Sequence, residues 1–134
     1  MINLVVSAVK SDALYVAIGA ILGALLRYRI TSQNLFLNGL PVSVLIVNIV
    51  GSLVLGVSAT TIARLGFDAR FTLLIGIGFC GALTTMSSFA YETMGLIDVG
   101  RLALAGLDIL LNVGVSIISV FAGRAIVLIL LGAR

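Results

Sequence analysis

Histidine and tryptophan are missing from this 134-residue chain, and cysteine and proline occur once each. With no histidine and Cys80 alone, one chain can build neither a His/Cys metal centre nor an internal disulfide. A nucleophilic enzyme needs a base beside its serine, threonine or cysteine. Glu92 and Asp108 could serve in principle, but nothing recruits a water-soluble substrate, so the chain is read as a non-enzyme. Charge is equally scarce. Charged residues make up 10% of the chain, against about 25% in soluble domains, too few to cover a water-exposed surface. The mean hydropathy of +1.31 and 61% hydrophobic content place the chain in the lipid bilayer as an integral membrane protein. The eight basic residues outnumber five acids, but they are spread thinly between apolar runs. They form no basic patch and point to no nucleic acid; in a membrane protein such an excess serves topology. The N-terminal MINLVVSAVK lacks the early positive region and small-residue cleavage site of a signal peptide. The first span is expected to target the chain itself.

What is present is a series of apolar runs, which predicts a single all-α domain covering 1–134, with four spans at about 13–28, 41–63, 71–97 and 102–131. Residues 1–12 read as an interfacial lead-in. In the first span Gly19-Ala20 and Gly23-Ala24 repeat at four-residue spacing, a face of small residues that lets another helix approach closely. Residues 31–39 (TSQNLFLNG) are a polar connector, and Pro41 suits the start of the second helix. At 1.5 Å per residue, a 23-residue second span is about 34 Å long, enough to cross. Four spans put both termini on one side, with Lys10, Arg64, Arg70 and Arg134, while Arg27, Arg29 and Arg101 lie opposite and Arg124 could snorkel to either. That near-balance gives the positive-inside rule little to act on. A chain that inserts both ways could pair head to tail, and a bundle this small is expected to assemble as a dimer or larger.

The third span carries an unusual stretch, residues 76–92, reading GIGFCGALTTMSSFAYE. Three glycines crowd its first six residues, followed by paired threonines and paired serines. Glycine and β-branched threonine are poor helix formers, and hydroxyls compete for backbone hydrogen bonds. In hydrocarbon, backbone that leaves the helix must be buried in protein or line a cavity. The stretch therefore predicts a broken membrane helix built around an ion. Gly76, Gly78 and Gly81 fit the dinucleotide spacing GxGxxG, but no strand precedes them and they lie within a membrane-length apolar run, so that reading is rejected.

Asn48, mid-span, is either interhelical glue or an amide that donates to a passing anion. Thr84, Thr85, Ser87 and Ser88 offer hydroxyl donors, and the positive edge of the Phe89 ring could face an anion. Glu92 and Asp108 are acids within or near the membrane and so are functional candidates. In the fourth span Asp108, Asn112 and Ser116, spaced four apart, form one polar stripe.

Four sets of residues together resemble the Fluc (CrcB) fluoride-channel family. They are 23–28 (GALLRY), 47–52 (VNIVGS), 81–89 (GALTTMSSF) and the polar stripe of the fourth span. The resemblance covers nearly all of the chain. It implies an antiparallel, dual-topology homodimer of four-span subunits in the cell inner membrane, with two pores that export fluoride passively and relieve its cytoplasmic toxicity. It also implies a third helix broken at the centre, where backbone carbonyls of both subunits hold a structural sodium ion. By motif position those carbonyls belong to Gly81 and Thr84. Asn48, Phe89 and the position of Met86 fall on the fluoride pore, Arg27 and Glu92 are accessory motif residues, and the hydroxyl-rich track maps onto Thr85, Ser88, Asn112 and Ser116.

Two positions depart from the family pattern. Met86 stands where the family has phenylalanine, and a thioether presents no positive ring edge although it adapts its shape to a gap. Asp108 stands where tyrosine is common, and a carboxylate beside an anion path repels the anion unless paired or protonated. The alternative from another class is a small four-span multidrug exporter. Such proteins use an acid in the first span and membrane-embedded aromatics; residues 13–26 contain no acid.

Overall fold

The computed structural model describes the backbone of residues 2–132 and the side chains of residues 12–132. Met1, Ala133 and Arg134 lie outside the described residues, as do the side chains of residues 2–11, so the interfacial reading of the lead-in and the topological charges of Lys10 and Arg134 fall there too.

Helix α1 is Ile2–Thr31 and α2 is Ser43–Leu65. The next run is α3, residues 69–83, followed after two extended residues by α4, Met86–Asp98. Helix α5 spans Leu102–Leu131. Four segments, Asp12–Thr31, Ser43–Leu65, Ala69–Asp98 and Leu102–Leu131, are long and apolar enough to cross a membrane. The protein is an all-helical membrane protein apart from one hairpin. Its architecture is inverted accordingly: Leu22, Leu110 and Ile129 point outward, while Asn48, Thr93, Asp108 and Asn112 are buried. In lipid the apolar side chains need no protein cover, whereas polar groups must find partners inside.

The connector is the hairpin. Strands β1 (Phe36–Leu37) and β2 (Leu40–Pro41) pair antiparallel. Between them Asn38 and Gly39 both take positive φ, 50° and 84°, the conformation that an Asn-Gly pair adopts in a two-residue hairpin turn. Pro41 therefore ends a strand instead of opening the helix, which begins at Ser43. Ser43 Oγ accepts from the Leu35 amide at 2.8 Å and ties the hairpin to the start of α2.

Small residues set two close helix contacts. α1 packs along α3, and a Cβ on Gly19 would run into Leu74 O and Phe79 N. The small-residue face of α1 is thus used within the chain, against the glycine-rich part of α3. α2 packs against the second half of α5, where Gly56 lies on the Val120 carbonyl. Asn48 meets Asn112 two turns earlier, as two parallel helices in register require.

The middle of α3, Thr72–Cys80, is wound as a π-helix, as is Leu111–Val115 in α5. Such widened turns release backbone groups and recur at functional sites. At the end of α3 the helix stops. Thr84 (φ −76°, ψ 153°) and Thr85 (φ −151°, ψ 117°) are extended, and α4 starts at Met86.

Candidate functional site

The interruption is held by the side chain of Asn48. Its Oδ1 accepts the Thr85 amide at 2.8 Å, and its Nδ2 donates to the Thr85 carbonyl at 3.3 Å. The asparagine amide thus pairs with Thr85 as a neighbouring strand would, satisfying in the interior a residue that has left the helix. Thr85 then caps the restart: its Oγ1 accepts the Ser88 amide at 3.2 Å, the role N-cap threonines fill. The same hydroxyl donates to Ser88 Oγ at 3.1 Å and lies 3.2 Å from Ser87 Oγ.

In a continuous helix the amides of Thr85 and Ser88 would bond to the carbonyls of Gly81 and Thr84. Both amides are diverted, the first to Asn48 and the second to Thr85 Oγ1. The Thr84 carbonyl instead receives Arg27 Nη1 at 3.3 Å. Arg27 is half-buried and reaches the interruption from near the end of α1.

The polar stripe of α5 continues the network. Asn48 Nδ2 donates to Asn112 Oδ1 at 3.0 Å. Asn112 Nδ2 donates to Asp108 Oδ1 at 2.8 Å and to the Asp108 carbonyl at 3.2 Å. Thr93 Oγ1 donates its one hydrogen to Asp108 Oδ2 at 2.6 Å, the shorter of its two contacts, and lies 3.0 Å from the Phe89 carbonyl. Asp108 is 0% exposed, so the carboxyl lies wholly inside this network. The asparagine orientations are forced at both ends. A carbonyl only accepts, so the Asn112 atom on Asp108 O is nitrogen; an amide only donates, so the Asn48 atom on Thr85 N is oxygen.

A cleft of about 390 Å³ opens beside the interruption. Asn48, Thr85, Met86, Phe89, Asn112 and Ser116 line it, with Gly81 and Thr84 at the same place. Among the described residues no charged side chain lines it. Phe89 is 5% exposed, whereas Met86, one helical turn before, is 70% exposed. Ser116 Oγ is buried with no hydrogen-bond partner among the described residues, and so is Glu92 Oε2. Ser116 is therefore an uncommitted hydroxyl at the cleft wall.

The remaining predicted positions fall elsewhere. Ser88 does not line the cleft, because its hydroxyl and amide turn back onto Thr85 in the capping cluster. Arg27 and Glu92 flank the site without lining it. Of Asn48's two sequence readings, the geometry here is interhelical: both N–H bonds of its amide are donated within the protein. Sequence reasoning passed over two residues. Ser52 lines the cleft and Thr93 holds Asp108. Each lies four residues beyond a residue already singled out, Asn48 and Phe89, and hence on the same helix face.

Fold and site together define a multi-pass membrane protein whose polar side chains converge on an interruption midway along its third span. Comparison with known proteins places it more closely. The chain belongs to the CrcB family: residues 14–124 match the family described as "CrcB-like protein, Camphor Resistance (CrcB)". A relative from Methanocaldococcus jannaschii is 41% identical over 117 residues, covering 87% of this chain and 94% of the relative. One from Nitrosopumilus maritimus is 40% identical over 115 residues, 86% and 91% of the two chains. One from Shewanella pealeana is 40% identical over 119 residues, 87% and 96%. Each bears the name "Fluoride-specific ion channel FluC".

Proposed function

We propose that this chain is a fluoride-selective ion channel, not an enzyme, which exports fluoride passively and so relieves its toxicity in the cytoplasm. The observation that carries the reading is that relatives about 40% identical along most of the chain share the fluoride-channel name. That name also sets the exporter alternative aside. The site is chemically suited to the task. Fluoride is small and strongly hydrated, so a path must replace its water with several donors yet bind weakly enough to let it leave. The cleft offers hydroxyls, amides and a ring edge and, among the described residues, no lysine or arginine that would trap the anion. Ser116 Oγ has a hydrogen to give, and the Phe89 ring edge is positive. An anion at Asn48 must displace an internal bond, and the one to Thr85 O, at 3.3 Å, is the longer. No covalent step is involved; the ion gradient and membrane potential drive transport.

The finer reading is an antiparallel, dual-topology homodimer in the cell inner membrane. The broken third helices meet at its centre, and the Gly81 and Thr84 carbonyls hold a structural sodium ion. Three features support it. Both carbonyls have lost their helical amides, and oxygen donors suit a hard cation. Thr84 O keeps a lone pair beyond the one given to Arg27. Gly81 and Met86 are exposed in the single chain although they sit beside the polar cleft, as expected where a second copy covers them. With sodium bound, the two carbonyls would fix the geometry of the interruption.

The test is efflux from proteoliposomes followed with fluoride and chloride electrodes. Fluoride should leave and chloride should stay. Chloride passing as readily, or neither ion passing, rejects the channel.

A further inference from the structure

Asp108 is a carboxyl buried in the span of a protein proposed to conduct an anion, and the described fluoride path gives it no task. Its contacts define one. Both N–H bonds of Asn112 end on Asp108, at the side-chain oxygen (2.8 Å) and the carbonyl (3.2 Å). Asn112 therefore turns its oxygen, not its nitrogen, toward α2. That oxygen accepts from Asn48 at 3.0 Å, so the Asn48 nitrogen lies on the α5 side. With its nitrogen so placed, Asn48 presents Oδ1 to the Thr85 amide at 2.8 Å. At the other end, Thr93 Oγ1 sits 2.6 Å from Asp108 Oδ2, so the carboxyl cannot rotate without losing a bond on each side.

We infer that Asp108 is a positioning residue for the ion path. Held by Thr93, its carboxyl takes the shorter of the two bonds that fasten the Asn112 amide. Through Asn112 it steadies Asn48, which holds the Thr84–Thr85 interruption in its extended form. The order follows from what each group can do. An asparagine amide can present either end to a neighbour, whereas a backbone carbonyl only accepts and a backbone amide only donates. The Asp108 carbonyl fixes which end of Asn112 faces it and Thr85 fixes which end of Asn48 faces it; the carboxyl adds the second, shorter bond that holds the Asn112 amide against Asn48. The carboxyl thereby influences the path by its bonding pattern, without lining the cleft. The inference rests on the channel reading for its transport consequence and on the hydrogen bonds alone for its structural one.

The conservative variant separates bonding pattern from charge. In D108N the new side chain accepts from Asn112 through Oδ1 and donates Nδ2–H to Thr93 Oγ1, whose own hydrogen turns to the Phe89 carbonyl 3.0 Å away, so a bond survives on each side. In D108A the side-chain acceptor is gone. T93V removes the hydroxyl from Oδ2 while conserving volume, so it tests the same link with the least disturbance to packing. Two measurements on the full chain decide the matter: fluoride efflux from liposomes, and solvent exchange of the Asn48 side-chain NH2 by NMR with 15N-labelled asparagine. The second reads a residue that does not touch position 108.

We expect D108N to keep its flux and a slowly exchanging Asn48 NH2. We expect D108A and T93V to speed that exchange and to lose flux, by about tenfold or more in D108A. If D108A does not fold, T93V carries the same comparison. A protected Asn48 NH2 in T93V and D108A overturns the inference, and so does D108N behaving like D108A, since charge would then be what counts. Failure of the channel reading looks different: the unaltered protein would pass no fluoride while the exchange measurement still gave its answer.

Discussion

Asn48 pairs with a backbone residue, Thr85, in the middle of a membrane and meets the same residue's donor and acceptor at once. Replacing it with alanine strands both Thr85 groups, and a buried unpaired polar group costs about 1–3 kcal/mol. Asn48→Ala should therefore lower thermal stability in detergent and reduce fluoride efflux by about tenfold or more. Unchanged melting and flux would show that the interruption holds itself open. At the cleft wall, Phe89 is buried and Met86 exposed. Phe89→Ile removes the positive ring edge but keeps bulk, so flux should be abolished with the fold intact. Met86→Phe adds a ring edge at the open side and should preserve or raise flux. A wild-type rate in the first variant would remove Phe89 from the path. Asn48 was legible in the sequence as a strongly polar residue in an apolar span, and Phe89 and the Met86 position through the family motif at 81–89. Thr93 was not: one threonine in a helix carries no sign of the carboxyl it will face.

At the scale of elements, the third span divides where its sequence is least helical. Glycines precede the stop, Thr84 and Thr85 are extended, and Thr85 caps the restart. Thr85→Val keeps the β-branched shape and loses the cap, which is worth about 0.5–2 kcal/mol. It should weaken protection of the first α4 amides in hydrogen exchange while sparing those late in the helix. The seam between α1 and α3 is more demanding, since a side chain at Gly19 meets backbone atoms and not flexible tips. Gly19→Val should force the helices apart at a cost of about 1–3 kcal/mol or more, read as a lower melting temperature with little folded protein recovered. Normal recovery would mean the helices can separate freely. The hairpin shows the reverse case: its Asn38-Gly39 signal stood in the sequence, within a stretch taken for a connector. Pro41 was assigned to the helix because proline suits a first turn, whereas the hairpin places it at the end of β2.

At the scale of the whole molecule, one chain leaves Gly81 and Met86 exposed beside a polar cleft, and the proposed antiparallel partner would cover them. A sole introduced cysteine at exposed Ser32, with Cys80 replaced by serine, tests the topology. An impermeant thiol reagent applied outside intact cells should label about half of the chains, as an evenly split insertion requires. Labelling of all chains or none would reject dual topology. Replacing sodium by a bulky organic cation should lower fluoride efflux if the Gly81 and Thr84 carbonyls hold the ion; an unchanged rate would count against that site. The sequence by itself determined the membrane class, the four apolar runs and the polar residues interrupting them. These follow from composition and period, which act locally along the chain. Tertiary structure alone decided which end of each amide faces which neighbour, and that Asn48, Asn112, Asp108 and Thr93 form one network across three helices. Hydrogen-bond partners in the interior are chosen by helix packing, and a sequence does not carry those distances. The glycine-rich stretch 76–92 announced that the helix would break; Asn48, from another span, supplies the bonds that let it stop.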